Sequence, residues 1–211
     1  MKVIVINGSP KSNGNTALGL ARVMDALEAD DIRTERIDIG GRAIHGCVAC
    51  GGCGVNKNRK CVLDNDGVND WMQAMFEADG VLLGSPVYYA GINGAFKAFL
   101  DRTFYVGMAN GGLFRHKVGA AIVAVRRAGS TTALEQLHKY FTISEMFLPA
   151  SNYWSMIFGR TPGEAEQDAE GGQCLNLLGQ NMAWLMRLIQ YGRDTVPAPR
   201  AVIKKRMDFI R

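Results

Sequence analysis

The stretch "HGCVACGGCGVNKNRKC", His45 to Cys61, places four of the chain's five cysteines at Cys47, Cys50, Cys53 and Cys61. Thiols at i, i+3 and i+6 with glycines between them match the first part of the ferredoxin ligand run, in which backbone amides turn toward cluster sulfides. Seven residues separate the fourth thiol from the third, rather than three, and no proline comes after it. Zinc is the weaker metal alternative, because structural zinc sites usually pair two separated C-x2-C knuckles. Lys57, Arg59 and Lys60 would stabilise thiolates or a net-negative cluster, and they suit a solvated turn equally well. The remaining thiol, Cys174, sits in an apolar helical pattern and reads as inert core.

Two further loops carry recognition chemistry. "NGSPKSNGNT", Asn7 to Thr16, combines glycine, hydroxyl and amide side chains ahead of a helical pattern. Such a loop can aim backbone N–H groups, the hydroxyls of Ser9, Ser12 and Thr16, and a helix dipole at one phosphate. It is neither a Walker A loop nor a G-x-G-x-x-G fingerprint, and the alternative is a capped turn without a ligand. "GSPVYYAGINGAFKAFLDR" offers Pro86, Val87, Tyr88 and Tyr89 at the end of an apolar run. A flat ring can lie over Tyr88 or Tyr89 with turn amides at its polar edge. Alone these tyrosines would be packing residues. Beside a phosphate loop they describe a mononucleotide with a large planar ring.

These loops require a scaffold whose strands end where the loops begin. "VIVIN" (3–7) is a continuous β-branched run, the pattern of a strand buried on both faces. Asn15 or Thr16 can then cap a helix whose Leu20, Val23, Met24 and Leu27 share one face. Further strands are read over 32–39, 80–86, 117–126 and near 152–158. Helices are read around Trp71, Met75 and Phe76, over 94–105, over 131–147, and from about Glu164 to Tyr191. Alternation of this kind implies right-handed crossovers and a parallel sheet covered on both faces. The expectation is a three-layer α/β fold of flavodoxin-like type, with a five-stranded parallel sheet in the order 2-1-3-4-5. Ligands bind such sheets outside the carboxyl ends of the strands, near the switch point between the first and third.

With 211 residues, 47% hydrophobic and 21% charged, the chain can bury one core. We expect one domain over 1–192, including the cysteine loop 45–61, and a basic tail over 193–211. The tail's cluster, Arg200, Lys204, Lys205, Arg206 and Arg211, reads as solvated or contacting a subunit. A formal net charge of +4 is mild and lacks the basic stripe that nucleic acid requires. No apolar run approaches the ~18 residues of a membrane span, and the N-terminus enters a strand pattern without a cleavage region. The expectation is a cytoplasmic protein with no nucleic-acid or membrane partner. In such a reducing setting clustered cysteines are ligands or redox thiols more often than disulfides.

On these residues the chain resembles a known family. "MKVIVINGSPKSNGNT" and "ADGVLLGSPVYYAGINGAFKAFLDR" are similar to the NAD(P)H-dependent FMN reductases of flavodoxin-like fold. "CVACGGC" between them resembles the iron-sulfur flavoprotein branch, and the similarity continues through "HKVGAAIVAVRRAGSTTALEQL" and "FGRTPGEAEQDAEG". The resemblance implies that the first loop holds the FMN phosphate through Ser9, Lys11, Asn13, Asn15 and Thr16. It implies that the loop after the third strand holds the isoalloxazine and ribityl chain through Pro86, Val87, Tyr88, Tyr89 and Asn93. A third loop, glycine-rich in many members, reads "VRRAGST" here, so Arg126 and Arg127 stand in place of glycines ahead of Ala128, Gly129 and Ser130. Arginines at the pyrimidine side would stabilise negative charge on the reduced ring; solvated loop charges, or partners for acidic groups of another subunit, are the alternative. The resemblance also implies a 4Fe-4S cluster on Cys47, Cys50, Cys53 and Cys61, whereas cluster-free reductases of the same family carry similar cysteines as ordinary thiols.

The implied function is an FMN-dependent oxidoreductase. It would take hydride from NAD(P)H and pass electrons to a quinone, a flavin, another small molecule or a one-electron redox protein. A non-enzymatic carrier fed by a ferredoxin-like partner is the alternative. The cofactor does the bond chemistry, so no acid–base residue is assigned. Family members assemble as homodimers or homotetramers, and "FYVGMANGGLFRH" (104–116) is a candidate cover for a neighbour's site. His45, His116 and His138 show no metal spacing, Asp64 and Asp66 read as helix caps, and Ser130 lacks a G-x-S-x-G setting. Tyr153, Trp154 and Phe158 read as core, with one of them able to border the flavin.

Overall fold

Buried, mainly apolar runs form the middle of a single parallel sheet. Its strands are β1 (Lys2–Asn7), β2 (Arg33–Asp38), β3 (Gly80–Pro86), β4 (Val118–Val125) and β5 (Met156–Phe158), in the order β2-β1-β3-β4-β5. The computed structural model describes residues 1–202, Lys205 and Met207; Lys204, Arg206 and Arg211 of the basic cluster lie outside the described residues. Every residue of β4, and β1 from Val3 onward, is buried, because both faces of the sheet are covered. The charged strand β2 lies at the edge, where Lys2 pairs with Glu35 at 2.7 Å.

The helices are α1 (Asn15–Glu28), α2 (Gly52–Asn56), α3 (Val68–Glu77), α4 (Gly94–Ala109), α5 (Ser130–Ile143) and α6 (Ala169–Gly192). Helices α1 and α6 cover one face, packing Leu20, Val23, Leu175 and Met182 against Val3, Val5, Leu82 and Ile122. The other face buries Met72, Phe96, Phe99, Leu134 and Phe141 of α3, α4 and α5 against Ile4, Ile6, Val81 and Leu83. Among the described residues no helix is long and apolar enough to cross a membrane.

The expected boundaries shift where local chemistry overrides periodicity. The last helix starts at Ala169, not Glu164: a 3-10 turn occupies Glu164–Gln167, and Asp168 then caps α6 through the Gly171 N–H at 2.9 Å. Only Met156–Phe158 pair with β4, since Tyr153 and Trp154 are exposed and pack edge-to-face on each other at 4.8 Å. Helix α5 stops at Ile143 rather than 147, and Phe147 instead bridges to Val118. Helix α1 is capped by Gly14 without any side-chain bond, so neither Asn15 nor Thr16 serves as its cap. In the insert 104–116, Phe104 and Phe114 stack at 4.4 Å inside the chain's own core, which leaves Tyr105 and Met108 as its exposed large apolar residues.

Candidate functional site

The first loop is built around buried Asn7. Its Nδ2 donates to Asp38 Oδ1 at 2.7 Å and its Oδ1 accepts the Ser9 N–H at 3.0 Å. Ser9 Oγ accepts the Lys11 N–H at 3.2 Å, and the Gly8 N–H donates to Gly84 O at 2.8 Å, tying the loop to β3. Among the described residues, the amides of Ser12, Asn13, Asn15 and Thr16 have no acceptor. Unpaired N–H groups at the positive end of a helix dipole form an anion cradle, with Lys11, Ser12 and Asn13 exposed at its mouth. This donor set fits a phosphate. Asn15 contributes differently from the sequence expectation. Its side chain accepts from the Gly163 and Ala165 N–H groups at 3.1 and 3.3 Å and donates to Thr161 O at 3.0 Å. Only its backbone N–H therefore faces the cradle. Gly40, missed in the sequence, supports the loop from behind: a Cβ there would stand 2.1 Å from Gly8 O.

The second loop leaves β3 at Pro86, and the Val87 N–H donates to Ala124 O at 3.0 Å. Tyr88 and Gly91 exchange backbone bonds of 2.8 and 2.9 Å around Tyr89 (φ 48°) and Ala90 (φ 60°). Two non-glycine residues in the left-handed region make a costly tight turn, which persists only when the surroundings hold it. Gly129 supplies part of that hold, since a Cβ there would lie 2.7 Å from Ala90 Cα. The turn leaves Tyr88 and Tyr89 exposed beside the exposed Arg126 and Arg127, with Ser130 buried at the start of α5. Asn93 departs from expectation: it is buried and its side chain caps α4 by accepting the Phe96 N–H at 3.0 Å.

All four loop cysteines line one cavity of about 20 Å³, closed on one side by Arg102, Tyr105 and Val106 of α4. Cys47 and Cys50 are exposed, Cys61 is half-buried, and burial pushes the Cys53 thiol pKa up. Cys174 is buried in the core, as expected. Among the described residues no three His, Cys, Asp or Glu side chains converge as they would on one ion. A cluster spreads its ligands over separate irons, so four thiols around a shared cavity suit it better than a single zinc.

Asp66, read from the sequence as a helix cap, has a different principal partner. It ion-pairs with the buried Arg102 of α4, and its bond to the Val68 N–H is a long 3.4 Å. Burial alone would raise its pKa, but the Arg102 hydrogen bond and charge outweigh this and hold the carboxyl below the usual range. Asn69 accepts the Cys61 N–H at 2.8 Å and donates to Cys61 O at 3.0 Å, fixing that residue's backbone. Sequence reasoning missed Arg102 and Asn69. The available signal was an arginine on the stripe that Phe99 and Val106 mark as apolar. A cavity of about 740 Å³ beside Met1, Asp79, Lys117 and Arg193 lies at the opposite, amino end of the strands. The loops described above occupy the carboxyl end, where open α/β sheets bind ligands, and we place the site there.

The topology, with three irregular loops at the carboxyl ends of β1, β3 and β4, defines a flavodoxin-like α/β protein. Among solved structures, RosB with bound 8-demethyl-8-formylriboflavin-5'-phosphate aligns over 100% of this chain and 97% of its own, with TM-score 0.71 and 14% identity. A flavodoxin from the Archaea aligns over 89% of this chain and 99% of its own, with TM-score 0.57 and 16% identity. Residues 1–161 match the NADPH-dependent FMN reductase family. An iron-sulfur flavoprotein of Methanocaldococcus jannaschii is 34% identical over 197 residues, covering 90% of this chain and 100% of that one. Another from Methanosarcina thermophila is 28% identical over 196 residues, covering 92% and 100%. The chain belongs to the NADPH-dependent FMN reductase family and is an FMN-dependent oxidoreductase.

Proposed function

We propose that this oxidoreductase takes hydride from NAD(P)H and passes electrons onward through a 4Fe-4S cluster on Cys47, Cys50, Cys53 and Cys61. The observation that carries the reading is that four thiols face one cavity on α4, the helix that begins directly after the ring loop. The names of the two relatives, both iron-sulfur flavoproteins, support it.

When bound, FMN accepts the hydride and releases its two electrons together or singly, and a cluster carries one electron at a time. The chain's own residues divide the remaining work. The amides of Ser12, Asn13, Asn15 and Thr16 and the Lys11 ammonium bind the phosphate, with Ser9 Oγ bracing the loop. Pro86, Val87 and the Tyr88–Gly91 turn orient the ring, while Tyr88 and Tyr89 shield its edge from water. Arg126, Arg127 and the Gly129–Ser130 turn form the facing rim and favour negative charge there. In balance, NAD(P)H and one proton reduce a quinone or flavin by two electrons and yield NAD(P)+, whereas with a one-electron protein each NAD(P)H yields NAD(P)+, one proton and two reduced copies of that protein. The assembly proposed is a homodimer or homotetramer in a reducing cytoplasm, where free thiols of this spacing persist as ligands.

Anaerobically purified protein tests the reading through its visible spectrum, its iron and sulfide content, and its steady-state oxidation of NADH and NADPH. We expect flavin bands over a broad iron–sulfur absorbance, about four irons and four sulfides per chain, and turnover with one nicotinamide. Flavin bands without iron remove the cluster. Flavin and iron without nicotinamide turnover leave a carrier fed by another redox protein. No flavin at all overturns the proposal.

A further inference from the structure

Arg102 heads the large, fully buried side chains of the protein, at 1% exposure. Each nitrogen of its guanidinium is engaged by the cysteine loop or the residues just after it, up to Asp66. Nη1 donates to Asp66 and to His45 O at 3.2 Å, and Nη2 to Asp66 Oδ1 at 3.2 Å and to Leu63 O. Asp66 and the two carbonyls account for a buried cation that pins a loop. They do not account for the remaining donor: Nε points at Cys61 Sγ, 3.4 Å away. With Asn69 gripping the backbone of Cys61 on both sides, this cysteine is held at three points, whereas Cys47 and Cys50 are exposed.

We propose that Arg102 is a positioning residue for Cys61: it holds the fourth ligand sulfur at the cavity, and its N–H···S hydrogen bond raises the reduction potential of the cluster. The inference rests on the cluster reading above. A donor on a ligand sulfur draws negative charge from it and favours the reduced, more negative state of the centre. Asp66 works against this, because its carboxylate partly cancels the guanidinium charge one bond further away. The two members of the pair therefore act on the potential with opposite signs. A loop that merely loosened would shift both variants the same way.

The test is potentiometry of the full-length, iron-loaded protein, monitored by electron paramagnetic resonance, with iron content measured in parallel. Arg102→Gln lowers the cluster midpoint, Asp66→Asn raises it above wild type, and the double variant falls between Arg102→Gln and wild type. Midpoints that ignore both substitutions, or that move in the same direction, overturn the inference. If Arg102→Gln does not hold its cluster, Asp66→Asn decides: a midpoint at or below wild type overturns the inference, and one above wild type upholds it. Wild-type protein without iron removes the cluster reading and this inference with it. Iron-loaded wild type with an indifferent potential removes the inference alone.

Discussion

The Arg102–Asp66 pair is almost completely desolvated, with side-chain exposures of 0% and 6%. Removing one partner leaves a buried charge without compensation, which costs about 3–5 kcal/mol, whereas removing both in favour of apolar groups is often near neutral. We therefore expect Arg102→Met to lose about that much in urea unfolding of the cofactor-free protein, and Asp66→Leu/Arg102→Met to recover most of it. The pair also carries an acid signature. The folded pKa of Asp66 is depressed, so its contribution is complete above the unfolded value of about 3.9 and fades as pH falls through the folded value. The wild-type melting temperature should drop more steeply than the double variant's as pH falls below about 4; parallel acid limbs would contradict this assignment. Gly40 is a second residue whose type is dictated by proximity. Gly40→Ala puts a methyl 2.1 Å from Gly8 O, against 3.6 Å from the nearest atom for Gly41→Ala. Fluorescence titration should show FMN binding weakened about tenfold or more, ~1.4 kcal/mol, in the first variant, and little change in the second.

At the scale of elements, the strands were legible because both faces of β1, β3 and β4 are covered, so their sequences are unbroken apolar runs. The loops after β1 and β3 were legible as turns at strand ends because such turns need glycine, hydroxyl and amide residues. Partnerships across the chain were not. Asp66 looks like any cap by its local pattern, and its true partner lies 36 residues away. Asn15 looks like a phosphate ligand until the segment from Thr161 to Ala165 folds onto it. The start of α6 was misplaced for a related reason: "EAEQDAE" is made largely of good helix formers, and only the carboxylate of Asp168 marks the break. That carboxylate accepts from Gly171 N–H and from Phe158 N–H at 2.7 Å, joining α6 to β5. Asp168→Ala removes both bonds. The cap alone is worth about 1 kcal/mol, and the strand bond adds about as much, so the melting temperature should fall by roughly 4–8 °C. A change within about 1 °C would show that this junction bears no stability.

Across the whole molecule, the flavin and cysteine sites rest on one helix but on different parts of it. Helix α4 begins at the ring loop, and Arg102 meets the cysteine segment two turns further on. The face packed by α1 and α6 contains none of the site cysteines; Cys53 is the one buried in the opposite core, with Cys61 packed at its margin. The thiols therefore decorate one edge of a body that the remaining core already holds together. Changing Cys47, Cys50, Cys53 and Cys61 together to serine should abolish iron while leaving the fold and FMN affinity within about twofold, a few tenths of a kcal/mol. A ligand that binds only the folded state stabilises it by about 2.7 kcal/mol at a hundred times its Kd. For a chain of this length that corresponds to a rise of roughly 5–11 °C in melting temperature. Wild-type apoprotein and the four-serine variant should show the same rise on adding FMN. If the variant alone fails to respond, the cysteine segment is part of the flavin site, and α4 couples the two rather than carrying them side by side.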